Sequence, residues 1–216
     1  MRLLTLVLFF CGYVGATCQL DGLKFIEGAV TKIVDGDTVY ISGTPKPVKI
    51  RLLGIDAPES NFQGQSQGLS ATEATARLKD ILPLNSKVKV YYEKQKLDVY
   101  GRLLGHVVSS GVNINEILVK EGLAVSYFIF PNVNLLDCYQ GYTEEAMAAK
   151  LGMFGEDSVE LPFEFRDRVG KTKPDRWVGN ISTKALVKPL DYKQVPVYER
   201  LFFDKKEDAI QNGFVE

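Results

Sequence analysis

The chain opens its patterned region with short β-branched runs at 27–34, 38–43 and 48–55, punctuated by Asp35-Gly36-Asp37 and by Ser42-Gly43-Thr44-Pro45. That alternation of runs and turn residues predicts a β-meander. In Lys87-Val88-Lys89-Val90-Tyr91-Tyr92, Val88, Val90 and Tyr92 point one way and Lys87, Lys89 and Tyr91 the other, so one face is buried. Residues 102–114 read as a further hairpin element turning at Ser110-Gly111. Three helices fit around these strands. Ser70-Ala71-Thr72-Glu73 has a capping-box pattern opening a helix over 71–82, with Ala74, Leu78 and Ile81 or Leu82 on one stripe. Asn113 to Glu116 offers a similar start for a second helix ending near Gly122, and a third runs over 143–154, ending near Gly152. Five strands closed into a small barrel with helices against it would be an OB-like architecture; periodicity alone supports a mixed β-rich domain with three helices.

The first residues follow a different pattern. Arg2, an apolar run from Leu3 to Phe10, and small residues at Gly15 and Ala16 predict a signal peptide over 1–16, cleaved after about Ala16. The run is far shorter than the ~20 residues of a membrane-spanning helix, so no stable membrane span is expected. A secreted or periplasmic protein follows. Acylation of Cys18 is the weaker alternative, because Gly15-Ala16-Thr17 lacks a large aliphatic residue ahead of the cysteine.

Composition narrows the chemistry. With 26 Lys+Arg against 27 Asp+Glu and 45% hydrophobic residues, the 216-residue chain is globular by composition. One His and three Cys, at 11, 18 and 138, exclude a two-histidine zinc site, a thiolate-rich zinc site and a disulfide-dense scaffold. Removal of 1–16 leaves Cys18 and Cys138, whose pairing the sequence leaves open.

Polar residues gather at the strand ends. Asp35-Gly36-Asp37-Thr38 places two carboxylates around a turn, and Ile50 to Glu59 carries Arg51, Asp56 and Glu59 along one strand and its exit. Turns use Asp for local hydrogen bonds, so the first motif alone reads as scaffold, and Arg51 alone is unremarkable. Joined by Asp98-Val99-Tyr100-Gly101-Arg102, the set asks for another explanation.

In this order the motifs resemble the staphylococcal nuclease family, the thermonucleases, over about Gly28 to Phe154, including the helices at 115–124 and 144–154. The resemblance implies a β-rich α+β fold, a five-stranded OB-fold barrel with three helices, and a Ca²⁺-dependent nuclease acting on DNA and/or RNA to leave 3′-phosphate products. It makes Asp37, Asp56 and the main-chain carbonyl at Ala57 metal ligands, with Ala where family members often have Thr. Arg51 and Arg102 match its catalytic arginines, Glu59 its proposed general base, Asp35 an acid behind the metal ligands and Tyr100 a ring of the nucleotide pocket. Tyr127 matches another pocket tyrosine after a one-residue gap. A monomer is expected.

Elementary chemistry agrees with these roles. A hard cation prefers oxygen donors, which carboxylates, a carbonyl and water supply without His or Cys. Guanidinium forks bind phosphate oxygens in a geometry Lys does not reproduce, and a carboxylate can take a proton from water. His106 reads as a packing or surface residue and Lys94 and Lys96 as steering or simply solvated charges. Residues 20–155 hold 14 Lys+Arg against 15 Asp+Glu, so attraction to nucleic acid rests on the local cluster, with a shallow salt dependence.

The expected organisation is a signal peptide at 1–16, a catalytic domain at 24–155, an acidic then basic linker at 156–176, and a small C-terminal β/α unit at 177–216. The last resembles an Ada-type metal-binding module in its Trp177 to Asn180 start and its 202–214 end, yet it contains no Cys or His to hold zinc. The alternative to an enzyme is a non-catalytic OB-fold module that binds nucleic acid or protein. Retention of Asp37, Asp56, Arg51, Glu59 and Arg102, which folding does not require, favours the enzyme.

Overall fold

The computed structural model describes residues 18–155 and 158–216; the expected signal peptide lies outside the described residues. The long strand β1 (Lys24–Ile33) organises the barrel. Its first six residues pair antiparallel with β5 (Lys87–Tyr92), and after a register shift between Val30 and Lys32 its end pairs with β2 (Thr38–Ile41). One strand thereby serves two directions of the sheet, as a bulge permits. β3 (Val48–Leu52) continues from β2, and β6 (Leu103–Ser109) pairs antiparallel with β5 and parallel with β3. The order β3-β2-β1-β5-β6 with the β3–β6 contact closes a five-stranded mixed barrel, the expected α+β fold of OB type.

Its interior is filled by the apolar face that alternation predicts. Val30, Val39, Ile41, Ile50, Val90 and Val107 are completely buried. Beyond β3 the chain forms β4 (Ile55–Asp56) and then α1 (Leu69–Ile81). The β6 hairpin partner β7 (Val112–Asn113) leads directly into α2 (Ile114–Lys120), whose N-cap Asn113 accepts from the Glu116 amide. β8 (Val125–Ser126) pairs with β4, and β9 (Phe128–Ile129) precedes α3 (Leu136–Ala148).

Two helix starts differ from the sequence expectation. α1 begins at Leu69 with Gly68 as N-cap at φ 66° and no side-chain cap. Ser70 therefore stands inside the first turn, and the Thr72 hydroxyl donates to the Gly68 carbonyl at 3.1 Å. α3 begins seven residues before position 143. Its first turns carry Asp137, Cys138 and two tyrosines, poor local evidence for a helix, but Tyr139 is completely buried against Phe128 and His106. Cys138 is joined to Cys18 by a disulfide with Cα atoms 5.8 Å apart, which answers the pairing question. Tertiary packing here overrides propensity. His106 is completely buried and polar on both ring nitrogens, 3.0 Å from Tyr139 Oη and 3.0 Å from Glu93 Oε1.

The C-terminal residues are built onto this body. Within the segment expected as a linker lies α4 (Pro162–Gly170), started by Pro162 and by Glu164 Oε2 accepting from the Leu161 amide at 3.0 Å. β10 (Trp177–Asn180) pairs with β11 (Leu186–Val187) and with β12 (Arg200–Phe203), which runs parallel to β9, and α5 (Lys206–Gln211) follows. The sheet order β11-β10-β12-β9 thus includes a strand of the barrel domain. Phe203 is completely buried, stacked on Phe130 at 5.5 Å and edge-on to Phe214 at 5.2 Å.

This shared packing predicts cooperative unfolding. Phe203→Ala is expected to cost about 3–5 kcal/mol, measured by urea denaturation. The fluorescence of Trp177, the single tryptophan, and far-UV circular dichroism should report one coincident transition. Two separated transitions would show that the C-terminal unit unfolds alone.

Candidate active site

The turn from β1 to β2 presents its acids to the next strand. Asp35 Oδ1 accepts from the Asp37 amide at 3.1 Å, which fixes the turn, and Thr38 lies opposite Arg51 in the β2–β3 register. Arg51 consequently reaches over Asp37. Its Nη1 is 2.9 Å from Asp37 Oδ2 and its Nη2 donates to Asp56 Oδ1 at 2.7 Å. Nη1 also donates to the carbonyls of Leu52 at 3.1 Å and Ile55 at 2.9 Å. One guanidinium thus ties β3 and β4 to the turn.

The remaining oxygens are held as firmly. Asp37 Oδ2 accepts from the Ala57 amide at 2.9 Å, and Oδ1 accepts from the Thr38 hydroxyl at 3.0 Å. Asp56 is completely buried. The Glu59 amide donates to Gln67 Oε1 at 2.9 Å, while the Glu59 carboxylate faces the site. Arg102 enters from the other wall: Asp98 accepts from its Nε at 2.6 Å and from its amide at 2.9 Å. Tyr100, 81% exposed, lies with its ring 5.4 Å from the Arg102 guanidinium. Tyr127 is tilted against Phe202 at 4.6 Å and stacked on Phe163 at 5.6 Å.

Asp35, Asp37, Arg51, Glu59, Tyr100, Arg102 and Tyr127 all line one cavity of about 400 Å³. Asp56 lies at its base through its partners, and Ala57 contributes its amide to Asp37. The structure therefore brings every candidate residue into or against one site. Two members were missed: Arg166 and Arg176 also line the cavity. Arg166 Nη1 donates to Asp56 Oδ1 at 2.9 Å and to Glu59 Oε1 at 2.7 Å, and its Nη2 to Asp56 Oδ2 at 2.8 Å. Arg176 pairs with Asp204 at 2.7 Å and approaches Tyr127 Oη at 3.4 Å. Both lie in the basic stretch of 166–176, where sequence gives charge and no direction.

Burial pushes the Asp37 carboxyl up to about 7, against the pull of Arg51 and with help from Asp35 and Asp56. Burial likewise raises Glu59, with Asp56 adding to it and Arg166 opposing. The Tyr127 phenol is also raised, chiefly by burial. For Arg166, burial works against the charged form and is overcome by Asp56 and Glu59. These carboxylates are crowded beyond what Arg51 alone neutralises. Such a set suits a hard cation in its oxygen chemistry. Among the described residues no group of three or more His, Cys, Asp or Glu stands in a metal-holding arrangement, so two acids would share the task with backbone oxygen and water.

The chain is thus an OB-type barrel with buried acids, guanidinium groups and one exposed aromatic ring, Tyr100, around a cleft. The family model described as "Staphylococcal nuclease homologue" matches residues 49–156. The chain is 38% identical over 200 residues to "Endonuclease YhcR" of Bacillus subtilis (strain 168), covering 87% of this chain and 16% of that protein. It is 32% identical over 149 residues to "Micrococcal nuclease" of Shigella flexneri, covering 65% of this chain and 80% of the relative. It is 37% identical over 120 residues to "Thermonuclease" of Staphylococcus hyicus, covering 54% and 66% respectively. This chain belongs to the staphylococcal nuclease family.

Arg51 separates stability from chemistry only if its charge is kept. Removing one partner of a buried ion pair costs about 3–5 kcal/mol, so Arg51→Ala should fold poorly. Arg51→Lys retains the charge but cannot span Asp37 and Asp56 as a fork. It is expected to remain folded by circular dichroism and to lose about 10²–10³-fold in any phosphodiester cleavage rate. Full retention of rate in Arg51→Lys would remove the fork from the account.

Proposed function

We propose that this chain is a Ca²⁺-dependent nuclease that hydrolyses phosphodiester bonds of DNA and/or RNA and leaves 3′-phosphate ends. The observation that carries the reading is the convergence of Asp37, Arg51, Glu59 and Arg102 on one cavity, with Asp56 paired to Arg51 beneath it. The names of its relatives, two of them nucleases and one an endonuclease, support the activity class. The chain spans only 16% of the length of the B. subtilis relative, so substrate and product belong to this proposal.

Asp37, Asp56 and the main-chain carbonyl at Ala57 would hold Ca²⁺. When bound, that ion supplies positive charge to the phosphate oxygens and to the charge that develops on them. Glu59 takes a proton from water as the water oxygen bonds to phosphorus. The bond from phosphorus to the 5′ oxygen breaks, that oxygen leaves as a hydroxyl with a proton from solvent, and the phosphate stays on the 3′ oxygen. Arg102, held through Nε by Asp98, offers a cation to the phosphate from the opposite wall. Tyr100 and Tyr127 supply ring surface for a base. Arg51 acts beneath them by pairing with both metal-binding acids and holding them in place.

Export through the segment 1–16 completes the proposal. The Cys18–Cys138 disulfide supports an oxidising compartment and occupies the thiol that lipid attachment would need. No helix among the described residues is long and apolar enough to cross a membrane.

Purified protein should cut plasmid, single-stranded DNA or RNA in Ca²⁺ and stop when the ion is chelated. The new ends should resist polymerase extension until phosphatase is added. Cleavage that persists in chelator, or that is unchanged in both Glu59→Gln and Arg102→Gln, would leave the non-catalytic binding module as the better reading. In a second test, N-terminal sequencing of exported protein should begin at Thr17; a start at Met1 in the exported form would refute signal cleavage.

A further inference from the structure

Arg166 comes from helix α4, outside the residues 49–156 that the family model matches. Its place in the site is set by several independent contacts. Phe163, one turn earlier on the same helix face, stacks on Tyr127 at 5.6 Å and meets Phe202 edge-on at 5.6 Å. Gln67 joins the same two regions, accepting from the Glu59 amide at 2.9 Å and donating from Nε2 to the Glu160 carbonyl at 2.9 Å. The helix is thus pinned beside the catalytic acids, and Arg166 is directed at them.

The guanidinium takes what a cation would need. Asp56 is completely buried, and three charged hydrogen bonds reach its two oxygens: one from Arg51 and two from Arg166. Arg166 Nη1 also bridges to Glu59. A divalent ion on Asp56 would stand directly against this guanidinium, at a distance where like charges repel. Arg51 cannot yield, because it is locked to two carbonyls and Asp37 as well. Arg166 has fewer ties: its side chain is 26% exposed, and the described bonds of its guanidinium go to the acids alone.

We propose that Arg166 is a positioning residue of the cation site: it holds Asp56 and Glu59 together until a divalent cation takes Asp56 from it, so the ion's affinity is set by competition with helix α4. The inference rests on the reading of Asp37 and Asp56 as cation ligands. In the cation-free protein, Arg166 keeps the buried acids neutralised and ordered. When the ion binds, the cost of displacing the guanidinium is subtracted from its affinity, and the extension becomes thermodynamically linked to the metal.

Calorimetric titration of the full chain with CaCl₂ at fixed ionic strength tests this without any cleavage assay. Arg166→Gln is expected to bind Ca²⁺ about 5- to 150-fold more tightly than wild type, and to melt at a lower temperature in chelator because its acids have lost a partner. A purely structural arginine would lower the melting temperature without tightening Ca²⁺. Unchanged or weaker binding by Arg166→Gln, with wild type binding, overturns the competition and leaves the nuclease reading intact. Absence of binding by both proteins overturns the cation-site reading and this inference together. Should Arg166→Gln fail to fold, Arg166→Lys decides: it keeps a charge but not the fork, and tighter binding by a smaller factor supports the proposal while equal or weaker binding overturns it.

Discussion

The Asp56 carboxylate has no exposure to water, and much of the molecule is arranged to give it partners in place of that water. Withdrawing such a group from solvent costs several kcal/mol unless charges and hydrogen bonds replace the water. Asp56 obtains both from Arg51 and Arg166. The first partner depends on the β2–β3 register, which sets Arg51 opposite Thr38, from where it reaches both Asp37 and Asp56. The second fixes the extension, because α4 must lie where its arginine meets the barrel's acid. The apolar contacts of Phe163, Phe202 and Phe203 then share one interface with an electrostatic requirement.

The two arginines paired by sequence resemblance prove physically unlike. Arg51 directs Nη1 to Asp37 and the carbonyls of Leu52 and Ile55, and Nη2 to Asp56. Arg102 is held through its Nε and amide by one acid four residues earlier, on a wall that also presents Tyr100. A group that must meet substrate benefits from this second kind of support, which sets position while leaving the charge at the cavity. The first kind stabilises what the cavity is made of.

Legibility followed the range of the interaction. The barrel strands were readable because burial on one face leaves alternation in the sequence itself, as at Val88 and Val90. The site acids and Arg51 were readable because they lie within about twenty residues on adjoining strands. The start of α3 was not, since Tyr139 gains its burial from Phe128 and His106, residues remote from the helix's own pattern. Arg166 was hidden for the same reason: its partners lie 107 and 110 residues away. Its neighbour Arg168 has the same charge and turns outward to Glu160, more than half exposed. Only Pro162 at the helix start and Phe163 three residues before Arg166 hinted that one of these arginines faces inward.

Near-neutral net charge acquires a different meaning once charges are placed. The chain's 26 basic and 27 acidic residues nearly cancel, whereas in the cavity the carboxylates outnumber the guanidiniums they contact. A site of that kind has little long-range field with which to draw a polyanion from solution. It has instead a set of cations already desolvated and aimed, which strengthen once a phosphate replaces the water of the cleft. A divalent cation at Asp37 and Asp56 would offset the excess of carboxylates there. In this molecule the ion would therefore act on affinity as well as on chemistry, lowering the repulsion between an acidic cleft and a phosphate, with α4 setting how readily that occurs.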